Sequence, residues 1–132
     1  MNINVNGRQA YAYTGGKAFD PSLPCVVFIH GALHDHSVWT LLARWCAHHG
    51  HGVLALDLPG HGRSAGPVLG SVDALAGWVL AVLDAAGVGN PGQATLVGHS
   101  MGSLIALAEG AWRVLSGEEP ARSYGDGDGG QP

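Results

Sequence analysis

Five residues near the C-terminal end, Gly98-His99-Ser100-Met101-Gly102, constrain this chain more than any other stretch. The apolar run Ala94-Thr95-Leu96-Val97 precedes them, and Ser103-Leu104-Ile105-Ala106-Leu107-Ala108 follows. Strand, Gly-x-Ser-x-Gly and helix in that order read as a nucleophile elbow, a tight turn that lifts a serine hydroxyl clear of a sheet. Gly98 and Gly102 are expected to let helix and strand approach where a Cβ would clash. Ser100 is expected in a strained backbone geometry. The Met101 N–H, at the helix start, is placed to meet charge developing when Ser100 attacks a carbonyl.

A chain of 132 residues is long enough for one domain with a buried core. Six Lys and Arg against ten Asp and Glu, with no basic cluster, argue against a nucleic-acid surface. The two cysteines, Cys25 and Cys46, form neither a disulfide framework nor a Cys-x-x-Cys pair and read as small buried apolar residues. The first twenty residues hold no apolar signal-peptide core, and Val26-Val27-Phe28-Ile29 is too short to span a membrane. A soluble, cytoplasmic protein is expected.

Periodicity orders the elements. Met1–Gly7 and Arg8–Tyr13 alternate apolar with polar or small residues around Asn6-Gly7, a hairpin signal. Cys25–Ile29 and Val53–Leu56 are continuous apolar runs, read as strands buried on both faces and therefore parallel. Residues 37–49 carry Val38, Leu41, Leu42, Trp45 and Cys46 at helical spacing, with Ser37 as N-cap and Gly50 as stop. Ser71–Ala86 is a second helix, capped by Ser71 and stopped by Gly87. The order is β-β-β-α-β-α-β-α, which predicts an α/β fold with a mostly parallel sheet.

Three loops follow the C-terminal ends of three predicted parallel strands. They begin at His30-Gly31-Ala32, at Asp57-Leu58-Pro59-Gly60-His61-Gly62-Arg63-Ser64 and at the elbow. Open α/β sheets bind ligands along that edge. Together the three motifs resemble the α/β-hydrolase superfamily, in particular its esterase, lactonase and haloperoxidase-like members, over about residues 1–108. The resemblance implies Ser100 as nucleophile. It implies His30-Gly31 as the start of the oxyanion loop, with the Ala32 N–H, or less favourably Leu33, joining that of Met101. It implies Trp39 as a packing residue and Asp57 as a hydrogen-bonding organiser of its loop. The reaction implied is hydrolysis of a small ester, lactone or thioester through an acyl-serine, with a small-molecule substrate and no cofactor.

The remaining histidines cluster at His34 and His36, beside Asp35, and at His48, His49 and His51. The first group shows no third histidine or carboxylate partner and the second reads as a polar helix end, so no metal is expected. His34 and His36 read first as solvated polar residues, with a place at the pocket mouth as the alternative.

In the family the order is Ser, then Asp or Glu, then His. No histidine follows Ser100 here, and the later acids are Glu109, Glu118, Glu119, Asp126 and Asp128. The chain therefore reads as the amino-terminal part of such a fold: residues 1–116 as core, 117–132 as a flexible glycine-rich, acidic tail without aliphatic side chains. The elbow strand would then be an open edge that invites self-association. The competing reading is a catalytically inactive, truncated hydrolase or a non-enzymatic binding half-domain. In the catalytic reading, the imidazoles left to act as base are His34, His36 and His61.

Overall fold

The computed structural model describes residues 1–88, 93–115 and 122–124, with side chains described through Ala108. Six strands form one sheet in the order β1-β2-β4-β3-β5-β6. They are β1 (Asn2–Val5), β2 (Arg8–Tyr13), β3 (Cys25–Ile29), β4 (Gly52–Asp57), β5 (Ala94–Gly98) and β6 (Arg122–Tyr124). The helices are α1 (Thr40–Ala47), α2 (Val72–Ala85) and α3 (Met101–Leu115). The fold is α/β, as the alternation predicts.

β1 and β2 form the predicted hairpin. Asn6 (φ 51°) and Gly7 (φ 81°) both take the left-handed conformation that a two-residue turn of this twist requires. The Asn4 side chain accepts the Gly7 N–H at 2.9 Å. β2 continues antiparallel onto β4, pairing Tyr11 with Asp57. From there the sheet is parallel: Ile29 of β3 sits opposite Leu56 on one side and Gly98 on the other. That register brings the loops after β3, β4 and β5 out on one edge.

The apolar strands are buried on both faces because two separate clusters need them. Val27, Ile29, Leu54, Leu56 and Leu96 pack with α2 and α3 through Leu75, Val79, Leu83 and Ile105. Phe28, Val53 and Ala55, on the other face, pack against α1 through Ala43 and Ala47. Successive strand residues point to opposite faces, so both must be apolar. Ser71 caps α2 as predicted, its hydroxyl accepting the Ala74 N–H at 3.1 Å.

Two expectations need correction. The segment after β3 is a 3-10 turn (His36–Trp39) followed by α1, rather than one helix from Ser37. Asp35 is the cap, its carboxylate accepting both the N–H and the hydroxyl of Ser37. α1 also turns a different face inward. Ala43 and Ala47 are buried, whereas Leu41 is 83% and Trp45 58% exposed. Small residues let α1 lie close to the sheet, and the Trp45 indole instead stacks on His49 at 3.9 Å. Trp39 does pack as expected, its ring 5.1 Å from that of Phe28.

The second correction concerns the sheet edge. A three-residue strand from within the predicted tail, β6, pairs parallel with Thr95–Val97. The far side of β5 is therefore occupied there rather than open. The rest of that stretch, 117–121 and 125–132, lies outside the described residues, as do the acids Glu118, Glu119, Asp126 and Asp128 and the side chain of Glu109. No helix among the described residues is long and apolar enough to cross a membrane. Cys25 is buried and Cys46 half-buried, both free. Burial pushes the Cys25 thiol up to about 12, so it is an inert packing group.

The rotated face of α1 can be checked by chemical unfolding. Leu54→Ala, at a site with no exposure, should cost about 3 kcal/mol. Leu41→Ala should stay within about 0.5 kcal/mol of wild type. Comparable losses would restore the face expected from periodicity.

Candidate active site

Ser100 stands where β5 turns into α3, with φ 56°. A non-glycine residue there costs about 1–3 kcal/mol and persists only where its surroundings enforce it. The enforcement comes from the two glycines. A Cβ built on Gly98 would collide with the Gly102 carbonyl and lie 2.5 Å from the Ser103 nitrogen. One built on Gly102 would collide with the Ile29 carbonyl oxygen and lie 3.0 Å from that of His30. The start of α3 thus rests directly on the end of β3. The His99 N–H reaches the Ile29 carbonyl at 3.2 Å, and Gly102 and Ser103 close the turn onto His99 and Ser100.

Gly31 brings the second loop to the serine. A methyl on Gly31 would lie 3.3 Å from Ser100 Cβ, 3.4 Å from the His99 oxygen and 3.7 Å from His34 Cδ2. Ala32 is exposed, and Leu33 beyond it takes φ 64° with its side chain 94% exposed. Among the described residues, neither the Ala32 nor the Met101 N–H meets a protein acceptor. Met101 directly follows Ser100, and Ala32 directly follows Gly31, the residue that approaches Ser100.

His30 is fully buried. Its Nε2 accepts the Leu58 N–H at 3.0 Å, and its Nδ1 lies 2.6 Å from the Gly31 oxygen. Burial holds this imidazole below the usual histidine range. The Gly31 bond opposes that shift, and His61, whose ring is 5.2 Å away, adds to it.

Asp57 is the hub of the middle loop. Its Oδ1 accepts the His36 N–H at 2.7 Å and lies 2.9 Å from His36 Nδ1; its Oδ2 accepts the Arg63 N–H at 2.9 Å. A side chain on Gly62 would collide with this carboxylate. Ser64 completes the junction, donating to the Asp57 carbonyl at 2.6 Å and accepting the Tyr11 N–H at 2.9 Å. Asp57 therefore hydrogen-bonds within its own loop, through Arg63, and to the loop after β3, through His36.

His34 lines a cleft of about 450 Å³ with Leu33, Asp35, Val38 and His61. His36 does not line it: that ring is turned onto Asp57, between Tyr11 and Tyr13. Contrary to expectation, His36 and Asp35 do find a carboxylate, because Asp57 brings their ligand atoms within 4.8 Å of one another. Those atoms are engaged in the hydrogen bonds to His36, Ser37 and Asp57 itself. No histidine hydrogen-bonds the Ser100 hydroxyl among the described residues.

Residues 26–130 match the model of the Alpha/beta hydrolase family. The dihydrolipoyllysine-residue acetyltransferase component of the acetoin cleaving system of Cupriavidus necator is 38% identical over 118 residues, which are 86% of this chain and 29% of that protein. An (E)-2-((N-methylformamido)methylene)succinate hydrolase of Acinetobacter baylyi is 34% identical over 76% of this chain and 35% of its own length. The crystal structure of an enol-lactonase from Burkholderia xenovorans superimposes with a TM-score of 0.73 at 26% identity, covering 86% of this chain and 42% of the lactonase. The chain thus spans about a third of the length of the curated relatives it matches.

Two outcomes follow from the site's hydrogen bonds. Asp57→Asn would turn an amide N–H onto the N–H of Arg63 or of His36, so unfolding stability should fall by about 1–3 kcal/mol. A loss under about 0.5 kcal/mol would remove Asp57 as the hub. For His30, the unfolded chain takes up a proton near the ordinary histidine pKa of about 6.5, whereas the folded chain resists it to lower pH. Stability contributed by neutral His30 should be fully present above about pH 6.5 and decline as pH falls toward the lowered folded value. Urea midpoints at about pH 7.5 and about pH 5.5 should therefore separate more in wild type than in His30→Gln.

Proposed function

This chain belongs to the alpha/beta hydrolase family, and from that premise we propose that Ser100 is a nucleophile for hydrolysis of a small ester, lactone or thioester. The observation that carries the reading is the left-handed backbone of Ser100, held between Gly98 and Gly102 against the end of β3. Nothing in helix or strand formation asks for that strain at a serine, and such strain clusters where chemistry is done. Ser100 Oγ attacks the acyl carbon and its proton passes to a base. The Ala32 and Met101 N–H groups receive the tetrahedral oxyanion. The leaving oxygen or sulfur departs with the proton, and water then releases the acid from the acyl-serine. The likeness to an enol-lactonase supports the acyl substrate class. Two free cysteines support a reducing, cytoplasmic setting.

A second reading has its own observation. The Ser100 hydroxyl has no base bonded to it among the described residues, His30 and His36 being committed elsewhere. On that ground the chain by itself is a catalytically inactive half-domain. A fluorophosphonate probe decides between the two. An activated serine predicts covalent labelling of the folded wild-type chain that disappears in Ser100→Ala. Absence of labelling in a folded wild-type sample decides for the inactive half-domain.

A further inference from the structure

We propose that His30 is a positioning residue for the oxyanion hole, setting the direction of the Ala32 N–H by holding the Gly31 carbonyl. The inference deepens the serine-hydrolase reading and rests on it for its catalytic meaning.

The tautomer of His30 follows from its partners. The Leu58 backbone N–H can only donate, so the Nε2 it reaches at 3.0 Å must carry a lone pair. The ring proton is then on Nδ1, where it donates to the Gly31 carbonyl at 2.6 Å. A trans peptide is planar, with its C=O and N–H pointing in opposite directions. The carbonyl that His30 holds and the Ala32 N–H belong to one such plane. Fixing the first fixes the second. The His34 N–H, also donating to the Gly31 oxygen at 3.3 Å, braces the same carbonyl from the loop side.

Three further observations place this peptide at the chemistry. Gly31 lies against Ser100 Cβ and the His99 carbonyl with no room to spare for a side chain. The Ala32 N–H has no protein acceptor among the described residues, so it is free for an oxyanion. The other end of the imidazole is tied to Leu58, just beyond Asp57, so the oxyanion loop is referenced to β4 as well as β3. His30 itself cannot act as a base for Ser100, because both ring nitrogens are in use and the ring is buried. Its function is orientation, the preorganisation that gives oxyanion donors their worth. Protonation at Nε2 would set two donors against each other at Leu58. The charged or titratable groups around the ring are His61, Asp57 and Asp35.

The test separates orientation from packing. Asn at position 30 places an amide N–H where Nδ1 stood and keeps the hold on Gly31 while losing Leu58. Gln places its oxygen where Nε2 stood and keeps Leu58 while losing Gly31. With a fluorophosphonate, His30→Asn should label within about tenfold of wild type, and His30→Gln should lose about 10²-fold, the cost of one misplaced oxyanion donor. Equal losses in both, in step with lost stability, would overturn the proposal. Nitrogen-15 NMR of the wild-type chain gives an arm that needs neither reactivity nor a stable variant. The Nδ1–H tautomer is expected, and an Nε2–H tautomer overturns the inference. If wild type does not label at all, the hydrolase reading fails while the tautomer, and the Ala32 amide shift in the two variants, still decide the role of His30. That shift should be preserved in His30→Asn and moved in His30→Gln.

Discussion

The bare α-carbon of Gly102 is the contact on which the rest of the site depends. Because nothing projects from it, the first turn of α3 settles onto the carbonyl ends of β3. That seating fixes the direction of α3, holds Ser100 in its left-handed conformation and puts the start of the β3 loop beside the serine. The strain at Ser100 is small against the apolar surface that α3 buries through Ile105 and Ala106. Packing elsewhere in the molecule therefore holds a residue in a geometry it would not adopt alone.

Beside this contact, the loops after β3 and β4 are tied together by buried polar groups. His30 links the β3 loop to Leu58, and Asp57 links His36 to Arg63. Ser64 links the β4 loop back to β2 through Tyr11. The linking groups are inaccessible or nearly so: His30 and Asp57 have no exposure and Ser64 has 8%. A buried polar network specifies geometry because each member loses a partner if another moves. This is how a sheet edge made of flexible, glycine-rich loops can present a defined arrangement.

Much of this was legible in the sequence, and the exceptions share a cause. The parallel strands declare themselves because both faces need apolar residues, as in Val26-Val27-Phe28-Ile29. The elbow is legible because its glycines are required at fixed offsets from the serine. β6 is not, since a backbone ladder can recruit Arg122–Tyr124 without any aliphatic pattern. The buried face of α1 is not legible because periodicity weighs Leu41 and Trp45 above Ala43 and Ala47, whereas close approach to a sheet selects the smaller side chains. The Asp57–His36 contact joins residues 21 apart that no local motif connects. His30 was readable as part of a motif, but its two hydrogen bonds depend on where β4 ends.

The order in which the strands pair has a consequence for how the corner comes into being. β1 and β2 can close locally, and β3 finds β4 across a modest length of chain. The pairing of Cys25 with Ala94 closes a far longer loop, and it brings the strand that leads to Ser100 alongside the strand that leads to His30 and Gly31. Loop closure grows more costly with length, and long-range contacts are slow to be rewarded. Among the pairings of the sheet, the one that builds the corner around Ser100 and Gly31 therefore carries the largest closure cost. Chains with a formed hairpin and β3–β4 core but an unseated β5 would lack the contact of Gly102 with the end of β3 that holds Ser100 in its left-handed backbone.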